Sequence, residues 1–230
     1  MSEIQEASIS TRPEPTTKRV AVFIEANEFF RLQKKVFRDN YLSFDAATLA
    51  KEIVKTHDDW ELAAIHVYVP LPPKALGKSS WFGIWCHFAN NARNHGCSVF
   101  AAEQDITHKL MLDNDEMRPV QILDNTMCRY NMLLEVMETC CEELADVIVL
   151  VTGDRNLAPL SHRIRHLSCI SKRWIKLVSA APYVEGGEGE ARTYFQGIPN
   201  SDWLWITREM YEKSTQAAID DLPTEVQTAE

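Results

Sequence analysis

The chain has 230 residues, 45% of them hydrophobic, which is enough apolar surface for one substantial core. Its formal net charge is −9, so the molecule as a whole repels a polyanion, and any nucleic-acid site has to be a local basic patch. The six cysteines show no CxxC spacing, no apolar run approaches the ~18 residues of a membrane span, and the polar N-terminus lacks a signal-peptide pattern. These features argue against a disulfide scaffold and a membrane protein, and they set the expectation of a soluble, cytoplasmic chain.

Residues 1–17 (MSEIQEASISTRPEPTT) carry too little apolar surface to offset their ordering entropy and read as a disordered tail. RVAVFI, residues 19–24, is a short continuous apolar run that suits a strand covered on both faces in a parallel sheet. Over residues 27–38 the residues Phe29, Phe30, Leu32, Val36 and Phe37 recur at helical spacing. Asp45 then caps a second helix bearing Leu49, Ile53 and Val54. LAAIHVYV, residues 62–69, predicts the next strand, stopped by Pro70, Pro72 and Pro73. Residues 79–95 predict a helix with Trp81, Phe82, Trp85 and Phe88 near one face, ended by Gly96.

CSVFAA, residues 97–102, follows as a third strand. The polar stretch 104–126, with its acidic patch at Asp113, Asp115 and Glu116, predicts an insertion or loop. A helix over 129–144 leads into a buried strand within DVIVLVTGD, residues 146–154, and WIKLVSA, residues 174–180, predicts a fifth strand. A Gly-rich acidic loop at 185–190 and an amphipathic piece at 203–211 close a single domain over 18–212. Residues 213–230 read as a flexible tail. Strands alternating with helices imply an α/β fold with a mostly parallel central sheet, whose ligands sit beyond the carboxyl ends of the strands.

Two of the apolar strands end in polar residues of the same character. The first ends in Glu25 and Asn27, the fourth in Asp154 and Asn156. If these strands are parallel neighbours, the four side chains converge on one edge of the sheet. Carboxylates gathered there repel one another unless a cation joins them, so the cluster points to a Mg²⁺ or Mn²⁺ site able to activate water against a phosphodiester.

These residues resemble the NYN domains of the PIN-like nuclease superfamily. VAVFIEANEFF is similar to that family's first strand, which usually ends in Asp-Gly-Asn-Asn, and DVIVLVTGDRNLAPL to its signature strand and turn. CRYNMLLEVM lies where the family usually has a basic residue, a Val-Asp pair and a helix bearing acids, and the resemblance spans roughly residues 18–212. It implies a Rossmann-like (PIN-like) three-layer sandwich and metal-dependent hydrolysis of RNA. It places candidate catalytic positions at Glu25, Asn27, Asn131, Glu135, Asp154 and Asn156, with Glu25, Asp154 and Glu135 as metal ligands. Three positions depart from the pattern: glutamate replaces aspartate at 25, and asparagine replaces aspartate at 131 and 156. Each lost carboxylate forfeits up to about 4 kcal/mol of attraction to a unit charge roughly 4 Å away.

Each of these residues also has a plainer role. Asp154 suits a helix cap near Asn156, Asn27 suits a turn, and Asn131 and Glu135, four apart, share a helix face that is equally a solvated one. Arg129, Arg155, Arg163 and Lys172 are candidate RNA contacts, although charged residues on an outer helix face are the default. Three functions therefore stay open on the sequence: a divalent-metal ribonuclease, weakened by its substitutions; an NYN fold kept as an RNA-binding or protein-interaction module; and, with thinner support because no GxGxxG or P-loop appears, a nucleotide-binding regulator using the same sheet edge. RNA is the expected partner of the first, a homo-oligomer or protein partner is compatible with any of the three, and no membrane association is expected.

Overall fold

The structure is a computed structural model that describes residues 13–38, 44–73, 80–113, 116–183 and 201–220. Both outer ends of the expected tails and the loop expected at 185–190 lie outside the described residues. Among the described residues six strands form one parallel sheet: β1 (Lys18–Glu25), β2 (Trp60–Leu71), β3 (Ser98–Glu103), β6 (Val147–Val151), β7 (Lys176–Pro182) and β8 (Asp202–Ile206). Their order is β3-β2-β1-β6-β7-β8. The chain builds outward from β1 in one direction and then returns to β1's other side to build the second half. The crevice between β1 and β6 is thus the point where the winding reverses, the usual ligand position in an open parallel sheet.

Helices α1 (Ala26–Val36), α2 (Ala46–Val54), α3 (Ser80–Asn94) and α6 (Arg208–Asp220) cover one face. They bury Val20, Val22 and Ile24 of β1 against Phe29, Leu49, Phe88 and Tyr211. Helices α4 (Thr126–Cys141) and α5 (Pro159–Ser171) cover the other face, where Ala21 and Phe23 meet Met132, Val136, Leu160 and Ile164. Alternate residues of β1 feed opposite cores, which is why its sequence is apolar throughout. The expected α/β three-layer architecture is what the chain adopts.

Two segments differ from the sequence reading. Residues 104–126, expected as an insertion or loop, form among the described residues a two-stranded antiparallel ribbon apart from the main sheet, β4 (Asp105–Asp113) paired with β5 (Glu116–Asp124). Its polar composition and Pro119 resemble those of a loop, yet a ribbon needs only local ladder bonds and tolerates proline along an edge. The amphipathic piece at 203–211 resolves into a sixth parallel strand, β8, followed by α6, which continues past 213 to Asp220. That helix is held by tertiary contacts: Tyr211 stacks on Phe37 at 4.7 Å, and the Asp45 amide donates to the Ser214 carbonyl at 2.9 Å.

Candidate functional site

Glu25 is the last residue of β1 and occupies the N-cap position of α1, with extended backbone (φ −84, ψ 96). Its side chain does not cap the helix. The Thr152 hydroxyl, just beyond β6, instead donates to Glu25 Oε2, and the same hydroxyl oxygen accepts from the Asp154 amide at 3.1 Å. Thr152 thereby ties the end of β1 to the turn after β6, and the two acids expected to converge do so. Glu25 is 1% exposed and its Oε1 has no hydrogen-bond partner. Burial is the main reason its carboxyl is raised from near 4.5 to about 7; Glu28 and Asp154 push the same way, while the Thr152 hydrogen bond and Arg129 oppose.

Asp154 has its two oxygens divided between neighbours. Oδ1 accepts from the backbone and side-chain nitrogens of Asn156, at 2.9 and 2.8 Å, which orders the tight turn Arg155–Leu157 ahead of α5. Oδ2 is ion-paired with Nε of Arg129 from α4, and both atoms are buried. Asp124, at the end of the ribbon, lies 3.9 Å from the same guanidinium and also accepts from the Thr126 amide at 2.9 Å, so β5 and the start of α4 fix Arg129 in place. Glu28, one turn into α1, approaches from the other side: a Cβ at Gly153 would lie 3.5 Å from its Oε2 and 3.2 Å from Leu32 Cδ1. Arg31 neutralises Glu28 at 2.6 Å.

The remaining sequence candidates lie elsewhere. Asn131 follows Arg129 by two residues, about 200° around a helix of 3.6 residues per turn, and so occupies the opposite flank of α4. There it donates to the Met127 carbonyl and, with Glu135, lines a groove against β3 of about 380 Å³. Glu135 accepts from the Tyr68 hydroxyl and contacts His66 Nδ1 at 2.7 Å, an arrangement sealed by Phe23 stacked on His66 at 4.5 Å. Burial, reinforced by Glu135, holds the Tyr68 hydroxyl far above its ordinary range. Asn27 points into a separate cavity with Phe30 and Trp81.

Arg163 is exposed on α5, and the Arg155 side chain lies outside the described residues. Lys172 caps the far end of α5, roughly 20 Å along that helix from the turn at Asp154 by the 1.5 Å rise per residue. The sequence reading missed Thr152, Glu28 and Arg31 as members of the site. Thr152 directly precedes the Gly153–Asp154 turn, and Glu28 falls one helical turn after Glu25, so both had a spacing signal.

The helix residue that reaches the strand ends is therefore Arg129, where the resemblance has a basic residue, while Asn131, where it has an acid, lies on the opposite flank. The sequence matches the profile of the NYN domain over residues 19–172. The chain belongs to the NYN domain family, within the PIN-like superfamily. No protein of curated function matches it. Among solved structures it is similar to a protein of unknown function from Vibrio parahaemolyticus, with 13% identity, TM-score 0.47, and coverage of 85% of this chain and 95% of that one. It is also similar to guanylylpyridinol- and ATP-bound HcgE from Methanothermobacter marburgensis, with 10% identity, TM-score 0.31, and coverage of 94% and 100%.

NYN and PIN-like nucleases are generally dependent on divalent metal, and NYN nuclease domains act on RNA. The donor set of this NYN chain does not fit a resident divalent ion as it stands. One of its two converging carboxylates already faces a guanidinium, and another, Glu28, faces Arg31. Among the described residues no three His, Cys, Asp or Glu side chains are placed to hold a metal. No helix among the described residues is long and apolar enough to cross a membrane.

Proposed function

We propose that this NYN domain binds RNA and no longer cleaves it by metal-dependent hydrolysis. The observation that carries this reading is the Arg129–Asp154 ion pair at the strand ends. A guanidinium about 4 Å from a divalent ion repels it by roughly 8 kcal/mol at an effective dielectric near 20, an upper figure that solvation lowers. That opposes what the remaining carboxylates return. The fixed positive charge instead offsets Asp154, and in part Asp124, without an ion. Support for RNA as the ligand comes from the family and from the exposed outer face of α5, where His162, Arg163, Arg165 and His166 carry no ion pair among the described residues.

The test is a fluorescent single-stranded RNA incubated with the purified chain in Mg²⁺ and in Mn²⁺. The expected result is binding that weakens steeply with added salt and intact RNA, with cleavage appearing in the double variant Arg129→Asp and Asn156→Asp. Cleavage by the parent chain that Asp154→Asn abolishes overturns the reading.

A second reading, a weakened Mg²⁺- or Mn²⁺-dependent ribonuclease, is favoured by one observation: Glu25 Oε1 is a buried oxygen without a partner. In that reading Glu25 and Asp154 would hold the ion, which would supply an activated water. Arg129 would first have to leave Asp154.

A further inference from the structure

A cavity of about 500 Å³ opens beside the strand ends, walled by Asn27 and Phe30 of α1, Trp81 and Trp85 of α3, Gln104 between β3 and β4, and Leu123 of β5. Its aromatic side is built in layers. Trp85 is 5% exposed and stands nearly perpendicular to Phe30 at 6.1 Å. Phe30 in turn supports Trp81 at 5.8 Å with a 59° tilt, and Trp81 remains 44% exposed. A large ring held from behind and open in front is a stacking platform. Leu123, 40% exposed, adds an apolar wall from the ribbon.

The polar side consists of two primary amides. Asn27 has no hydrogen-bond partner among the described residues. Gln104 donates from Nε2 to Asn125 Oδ1 at 2.5 Å, which leaves its Oε1 open. An amide oxygen beside an amide nitrogen is the pattern that pairs with a base carrying a ring acceptor and an exocyclic amine, adenine above all. The volume accommodates a base with its ribose. Asn27 lies two residues past Glu25 on the chain, and parallel strands spaced about 5 Å apart put this cavity beside the β1–β6 crevice, within reach of the next nucleotide.

We infer that this cavity is a nucleobase subsite, in which one unpaired adenine of a single-stranded RNA stacks on Trp81 and is read by Asn27 and Gln104. The inference rests on the RNA-binding reading above and names which chemical part of the RNA is recognised. It makes the ribbon β4–β5 part of the binding surface through Leu123 and Gln104.

The experiment follows the Trp81 indole N–H by NMR in the full chain, assigned with Trp81→Phe, during titration with AMP and with ribose 5-phosphate. In parallel, a labelled oligoadenylate is titrated by fluorescence anisotropy against the parent, Trp81→Ala and Trp81→Phe. AMP is expected to shift the Trp81 signal and ribose 5-phosphate to leave it in place. Trp81→Ala is expected to weaken oligoadenylate binding by roughly 5- to 160-fold, the range for loss of one stacked base, while Trp81→Phe keeps most of it.

Oligoadenylate binding that is equal in parent and Trp81→Ala, with no AMP shift, overturns the subsite and leaves the RNA reading standing. An AMP shift without oligoadenylate binding overturns the RNA reading, and the RNA subsite with it, and leaves a pocket for a free adenine nucleotide. Equal shifts from AMP and ribose 5-phosphate mark a phosphate site and overturn the base assignment, and silence in every arm sinks both.

Discussion

Replacing Glu25 by glutamine isolates the electrostatic cost at the centre of the site. Glu25 is 1% exposed, and burial, ahead of the neighbouring acids, holds its carboxyl at about 7 rather than near 4.5. In the unfolded chain it ionises at its ordinary value. Between those two pH values the folded protein keeps a proton that the unfolded chain has lost. Stability therefore falls as pH rises through that window and levels off above about pH 7. The whole difference corresponds to roughly 3 kcal/mol.

Glutamine has no such proton, and its carbonyl oxygen can accept the Thr152 hydroxyl in place of the carboxylate. Urea unfolding of both proteins from about pH 5 to about pH 8 measures the contribution as the difference between the two stability curves, which removes every other titrating group. Near pH 8 the variant is expected to be more stable by up to about 3 kcal/mol, or roughly 6–12 °C in Tm for a chain of this size. Curves that stay parallel across the range refute the reasoning, because they would mean Glu25 is not a desolvated acid. Mn²⁺ adds a second branch: an ion that binds Glu25 would hold it ionised and raise the parent's stability near pH 8, and the variant would not respond.

Arg129→Met strands Asp154, whose side chain is 7% exposed, with only the Asn156 donors. The expected loss is about 3 kcal/mol by urea denaturation, and adding Asp154→Asn should recover much of it; equal losses in the single and double variants would show that the pair is not coupled. Asp45→Ala removes the cap that the Thr48 amide binds at 2.6 Å and the partner of His95 Nδ1 at 2.6 Å. A loss of about 1–2 kcal/mol is expected in thermal unfolding, most of it restored by Asp45→Asn, and an unchanged Tm in Asp45→Ala would remove the capping argument.

The fold was legible because its signals are local. Runs such as RVAVFI and VIVLV are too apolar to have an exposed face, and the helical spacing of Phe29, Leu32 and Val36 sets the first helix apart from them. The ribbon at 104–126 was not legible, because its stability lies in cross-strand pairing and its side chains look like those of a loop. The part of helix α6 from 213 on was read as a tail for a related reason: its own sequence is polar, and Phe37, Asp45 and Phe29 hold the helix from far away in the chain.

The chain by itself determined that an acid would close β1 and another would follow β6, because an apolar strand that stops in a carboxylate is visible in one dimension. Only the tertiary structure decided which α4 residue would meet them. Helix rotation sends Asn131 and Glu135 toward β2 and β3 and delivers Arg129 to Asp154. The angle at which a helix settles on a sheet depends on all the side chains packed beneath it, here Cys128, Met132 and Val136, and a motif read along the sequence carries no record of that angle.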